Sequence, residues 1–179
     1  MEPLEITNTG FANCFGCSKT NMHGLQLRIW YTDDGCFSKC AIPDHFCGFE
    51  GVVHGGIIAS LLDELAAWTI ISHMYQTGIT LEVNIRYLKA VLAGTEIIVK
   101  GKIIHNDGKN ATIYSSIHSE DGSLLAECES KWLLPSNSTL AKVIGVEESK
   151  VEEMMKRIEE MMKQTLEPIK RLFIEKTDV

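Results

Sequence analysis

The segment spanning about residues 56–75 contains no proline and no internal glycine, has the length of a helix, and is apolar on nearly every side. A helix of that kind must be enclosed, so the rest of the chain has to wrap it. Two carboxylates nevertheless sit side by side at its centre, in Leu61-Leu62-Asp63-Glu64-Leu65. Between Lys39 and Arg86 there is no Lys or Arg to pair with them. An ionised, unpaired carboxylate among leucines is costly to desolvate, so it either rises in pKa or finds hydrogen-bond donors elsewhere in the fold. Acids perturbed in this way concentrate at functional sites.

The flanking segments have the pattern of a wrapping sheet. Residues 25–31 and 36–42 alternate about a Thr-Asp-Asp-Gly turn, which predicts a hairpin. Gln76-Thr-Gly78 stops the helix, and four strand-like segments follow at 80–88, 95–105, 111–119 and 124–134. Their connections, Leu92-Ala-Gly94, Asn106-Asp-Gly108-Lys and Glu120-Asp121-Gly122-Ser, are of the hairpin kind. The order predicts an α+β fold, an antiparallel sheet curled around one long central helix. This domain is expected over residues 1–135. Residues 136–179 form an extension, a polar Pro-Ser-Asn-Ser-Thr linker and then an amphipathic helix over about 147–176. Val151, Met154, Met155, Ile158, Met161, Met162 and Leu166 make its apolar face, and Pro168 is expected to kink or end it.

Charge and cysteine usage exclude several classes. A net charge of −7 without any basic cluster argues against a nucleic-acid binder or a polybasic membrane-surface protein. The first residues lack the features of a secretory signal, and the apolar runs fall short of a bilayer span, so a soluble cytoplasmic protein with no membrane association is expected. The six cysteines are expected as reduced thiols. Cys14-Phe-Gly-Cys17 has the spacing of a zinc half-site, but Cys36 and Cys40 would lie about 13 Å apart on one face of a strand. One ion cannot bridge them, so no metal and no cofactor are expected.

The helix opens with His54-Gly55-Gly56, and Asp63 follows nine residues after the histidine. With Cys14-Phe-Gly-Cys17 and Gly24-Leu25-Gln-Leu27, the strand Leu81-Glu-Val-Asn84-Ile-Arg86-Tyr87-Leu88, and Leu125-Ala126-Glu127, these residues resemble the hotdog-fold acyl-CoA thioesterases. The subgroup is the His-Gly-Gly, phenylacetate-type (PaaI-like) one, and the resemblance covers roughly residues 12–135. It implies hydrolysis of an acyl-CoA, with Asp63 as general base or as nucleophile; the sequence leaves both routes open. It assigns carbonyl polarisation to the Gly55 N–H at the helix start, where free backbone donors carry roughly +0.5 charge. His54 is expected to position that start, and Thr80 to hold the attacking water.

Gly56 and Asp63 fall on one line of the helix about 10 Å apart, and Ala59, Ser60, Ala66 and Ala67 keep the surroundings of the acid small. Gly56, Ser60, His45, Arg86 and Lys89 are the candidate substrate-binding residues, with Lys100 and Lys102 as further cations for the coenzyme A phosphates. His45 lies where related enzymes carry an amide, which this chain lacks between 45 and 50. Glu64 points about 100° from Asp63 and is expected to be structural or solvent-facing. The resemblance also implies a homodimer, or a dimer of dimers, with Asp63 of one chain facing Thr80 of the other. The methionine-rich face of the extension packs on its own domain or a neighbouring subunit, or else covers an acyl channel. Two other readings are a non-catalytic acyl-CoA-binding module on the same fold, and a hydratase that would need His54 as its base.

Overall fold

The apolar segment folds as α1 (Gly55–Met74) in the computed structural model, which describes residues 3–7 and 13–177, with side chains through residue 167. His54 caps its start, its Nδ1 accepting the Gly56 N–H at 2.9 Å. Tyr75 ends it in the left-handed conformation, at φ 57°. By length and mean hydropathy (1.3) this 20-residue helix would pass as membrane-crossing, contrary to the expectation that no apolar run reaches a bilayer span. Enclosure by the sheet accounts for that apolarity: Leu61, Leu62, Leu65 and Trp68 are fully buried.

The predicted strands all form; the first is shorter than expected, beginning at Ile29 and not at residue 25, and the others lie close to their expected limits. They are β2 (Ile29–Thr32) and β3 (Gly35–Ala41) before the helix, then β6 (Ile79–Tyr87), β7 (Glu96–Asn106), β8 (Asn110–Ser119) and β9 (Leu124–Leu133) after it. With β1 (Leu4–Ile6) they make one seven-stranded sheet in the order β1-β2-β3-β7-β8-β9-β6. Each pairing is antiparallel. β6, though it follows the helix directly, lies at the far edge. β1, a 3₁₀ turn at Asp44–Phe46 and the small hairpin of β4 (Cys47–Phe49) with β5 (Val52–Val53) were not anticipated. Two or three residues are too few to show a period.

The sheet folds over α1 so closely that residue 101, on β7, has to be glycine. A Cβ there would sit 2.4 Å from Thr69 Oγ1 and 2.7 Å from the Leu65 carbonyl oxygen, and the second of these is backbone that cannot swing away. Gly101→Ala should therefore destabilise the fold by about 1–3 kcal/mol, the usual cost of overpacking a filled core. Urea unfolding of the two proteins measures it, and an unchanged midpoint would mean that α1 does not press on β7 here.

The extension is packed, not pendant. The stretch read as a linker winds into α2 (Asn137–Ile144), capped by Ser136, whose Oγ accepts the Thr139 N–H. α3 (Glu148–Thr177) follows, and its Ile158, Met161 and Met162 are buried in the same apolar cluster as Ile6, Cys17 and Leu27. The methionine face thus packs on its own domain. α3 continues past Pro168, so of the two expected effects, a kink or an end, the proline does not end the helix. A proline deletes one helical hydrogen bond, and the remaining turns on either side keep theirs.

Candidate active site

Asp63 sits in the middle of α1, partly buried, on the side of the helix that faces the β6–β9 edge of the sheet. The chain reverses after Tyr75 and runs back along the helix; a Cβ on Gly78 would already meet Ile70 Cδ1 at 3.1 Å. Two residues later Thr80 arrives at the acid, and its Oγ1 donates to Asp63 Oδ1 at 3.0 Å. This corrects the expected arrangement: Thr80 meets Asp63 of its own chain, because the tight reversal leaves β6 beside the helix that precedes it. Among the described residues Thr80 is the one hydrogen-bond donor to the acid, so the second carboxylate oxygen stays available. Burial raises the Asp63 pKa, and the Thr80 hydrogen bond pulls against that rise.

The helix start is the second component. The Gly56 N–H is engaged by His54 Nδ1, and the Ile57 and Ile58 N–H groups donate to the His54 carbonyl. That leaves the Gly55 N–H with no acceptor among the described residues. Gly55 itself lines a cleft of about 600 Å³, together with Phe49, Val53, His54, Ile58, Tyr87 and Lys89, among others. An unpaired donor at the positive end of a 20-residue helix, in a mostly apolar cleft, is suited to stabilise negative charge developing on a carbonyl oxygen. His54 spends its Nδ1 lone pair on the cap, which makes it a positioning residue and leaves no free basic nitrogen on that side for a hydratase.

The remaining predicted residues divide. Lys89 lines the cleft with Gly55. Arg86 is on the adjoining strand but is paired with Glu127 at 2.7 Å. Ser60 donates to the Gly56 carbonyl at 2.9 Å, so its hydroxyl serves the helix. His45 is exposed and packs on the Phe46 ring, with centroids 4.3 Å apart. Lys100 and Lys102 line a different cleft, with Phe37 and Ser116, and do not reach this one. Tyr87 went unrecognised: its hydroxyl donates to the Gly55 carbonyl at 3.1 Å and its ring walls the cleft. An aromatic residue two positions before Lys89 was the available signal.

Of the two expectations for Glu64, the structural one is what the fold shows. It is half-buried, not solvent-facing: its Oε1 accepts the Trp68 Nε1–H at 3.0 Å, and Cys14 Sγ approaches both of its oxygens. Burial pushes its pKa up to about 7.

Residues 50–126, which include the helix start, Asp63 and Thr80, match the profile of the thioesterase superfamily. A protein of Archaeoglobus fulgidus carrying a provisional esterase name is 33% identical over 103 residues, 57% of this chain. The match spans 66% of that relative's length, just under two thirds. Among solved structures, a hypothetical thioesterase of Streptococcus pneumoniae with coenzyme A superposes with a TM-score of 0.58 at 22% identity, over 62% of this chain and 89% of that one. The Escherichia coli PaaI protein from the phenylacetic acid degradation operon gives 0.55 at 18% identity, over 59% of this chain and 80% of that one. These likenesses identify the fold as the hotdog fold.

Proposed function

We propose that the chain is a thioesterase of the hotdog fold, its His-Gly-Gly helix start being consistent with the PaaI-like subgroup, and that it hydrolyses an acyl-CoA to the free acid and coenzyme A. The observation that carries this reading is the unengaged N–H of Gly55, a residue at the head of α1 that lines a mostly apolar cleft, on the same helix as a partly desolvated carboxylate. The thioester carbonyl accepts from Gly55. Asp63, held by Thr80, supplies the attack, either by taking a proton from water or by adding directly to the carbonyl carbon. Lys89 is the cation placed to meet the phosphates of coenzyme A. No cofactor enters the scheme.

The proposal includes a homodimer with shared sites. Gly55 and Asp63 are eight residues apart on one helix, about 12 Å along its axis. A carbonyl held about 3 Å from a donor and attacked from about 3–3.5 Å does not span that distance. The two groups serve one substrate if α1 of a second chain brings its Asp63 to the first chain's Gly55. β6 supports such a union: it is an edge strand whose Leu81 and Val83 are 61% and 48% exposed. A cytoplasmic setting, consistent with six free cysteines, belongs to the same proposal.

The second reading, an acyl-CoA-binding module without turnover, draws on His45: nothing in the described residues directs it at Asp63, and no amide stands in its place. Free-thiol release from a panel of short, long and aromatic acyl-CoAs separates the two. Turnover of at least one member is expected. Binding of coenzyme A thioesters without release from any of them would establish the module instead.

A further inference from the structure

The Cys14-Phe-Gly-Cys17 turn takes no part in this chemistry, yet the fold carries it onto α1 beside the second acid. Cys14 Sγ lies 3.5 Å from Glu64 Oε1 and 3.6 Å from Oε2. Cys17 Sγ completes a group whose three ligand atoms all fall within 4.8 Å of one another. The geometry points to a binding site for a thiophilic divalent cation, of which Zn²⁺ is the type, ligated by the Cys14 and Cys17 thiolates and the Glu64 carboxylate. This site is independent of the thioesterase reading.

Three observations favour a cation over a plain hydrogen-bonded cluster. The first is spacing. Zn–S bonds of about 2.3 Å and Zn–O bonds of about 2.1 Å at tetrahedral angles place sulfur and oxygen about 3.6 Å apart, which is the separation of Cys14 from Glu64. The second is construction. The turn is laced to the next segment by Leu25 N–H to Phe15 O at 2.7 Å and Leu27 N–H to Gly16 O at 2.9 Å. Its approach to the carboxylate is possible only at a glycine, since a Cβ on Gly16 would lie 2.3 Å from Glu64 Cδ. The Cys17 N–H also points at Cys14 Sγ, at 3.5 Å, a contact that favours the thiolate.

The third is charge. Three acids are gathered in a partly buried spot, and among the described residues no Lys or Arg forms an ion pair with Glu64. A dication supplies the countercharge that the surrounding side chains do not. On binding, Cys14 and Cys17 ligate as thiolates and the protons go to the buffer. The fourth position faces a shallow cleft lined by Asn13, Ala67, Trp68 and Ile71, where water completes the shell.

The sequence pattern concealed this site because the second half was sought in Cys36 and Cys40. Cys36 is instead buried against Ser72, its Sγ 3.0 Å from that hydroxyl. The third ligand comes from 50 residues away, in a helix with no metal-binding spacing of its own.

The test is a titration of the full-length protein, reduced and freed of metal by chelator dialysis, with Co²⁺ and then Zn²⁺. One Co²⁺ per chain should bind, with a thiolate charge-transfer band in the near ultraviolet and the visible absorption of a four-coordinate ion, both lost when Zn²⁺ is added. Cys14→Ser and Cys17→Ser should abolish or strongly weaken the charge-transfer band. Glu64→Gln, isosteric and expected to fold, should keep the band but lower affinity by about tenfold or more, since even indirect partners of a metal site are worth that much. Absence of the band in the parent protein overturns the proposal, as does an undiminished titration in the Cys14→Ser/Cys17→Ser double variant. Equal affinity in Glu64→Gln removes the carboxylate and with it the site as described. None of these readouts depends on thioester turnover.

Discussion

Gly55→Pro should lower kcat by about 10²–10³ while leaving the fold intact, because a ring carbon takes the place of the backbone hydrogen that the substrate oxygen would meet. Residue 55 is the first position of α1, where proline is well tolerated: the N–H it lacks has no helical acceptor, and its fixed φ suits the first turn. The preceding residue also fits, since His54 at φ −61° and ψ 138° is in the extended region that proline demands of its neighbour. The lost term is the donor to the oxyanion, about 2.7–4 kcal/mol in the transition state. Gly55→Ala is the control. Its Cβ would meet the Tyr87 ring at 3.6–3.7 Å, an ordinary contact, and it retains the N–H, so it should turn over nearly as the parent does. Steady-state kinetics on the best acyl-CoA of the panel, with a melting curve for each variant, decides the matter. A proline variant as active as the alanine one would show that the charge is stabilised elsewhere.

The legible parts of this molecule were those written in local periodicity. α1 is apolar all round because the sheet surrounds it, and the strands after it are separated by Gly-bearing turns, so both were readable within a residue or two of their observed limits. Asp63 and the glycines were legible for a related reason: a carboxylate and a diglycine break the pattern of an enclosed helix. What escaped were contacts between segments far apart in sequence. Thr80 was assigned to the partner chain, but the reversal at Gly78 turns it onto its own Asp63. Glu64 could be read only as structural or solvent-facing, because nothing near it in the sequence shows that a cysteine turn 50 residues earlier folds onto it. Lys100 and Lys102 were grouped with Arg86 by proximity along the chain, although β7 and β6 lie at separate places in the sheet, with β8 and β9 between them. The polar run after Pro135 illustrates the opposite error, a local breaker overruled by packing of the extension, whose methionine face is buried on the domain.

Asp63→Asn should cut kcat/KM by about 10²–10⁴, the range for loss of a general base, with KM nearly unchanged. The amide keeps the shape and still accepts the Thr80 hydroxyl, so the loss reports proton transfer or nucleophilic attack and not collapse of the site. Stability should hold or improve at neutral pH. A carboxyl whose pKa is raised by folding contributes most while protonated, and that contribution fades as pH climbs through the raised value. Activity runs the other way, because the carboxylate is the working form: the acid limb of the rate profile should lie above the ordinary aspartate value. Thr80→Val, which removes the hydroxyl that restrains the rise, should move that limb higher still.

Gly55→Pro and Asp63→Asn together test how the site is assembled. If each site takes Gly55 from one chain and Asp63 from the other, a mixed dimer has one site with both defects and one with neither. Unfolding and refolding the two inactive proteins in equal amounts should then restore about a quarter of parental activity, as random pairing makes half the dimers mixed and half of their sites intact. If one chain supplied both groups, every site in the mixture would carry a defect and activity would stay at the level of the separate variants. Recovery therefore establishes the two-chain site, and its absence confines the chemistry to a single chain, where the 12 Å between donor and acid would demand a relay of water that a shared site does not need.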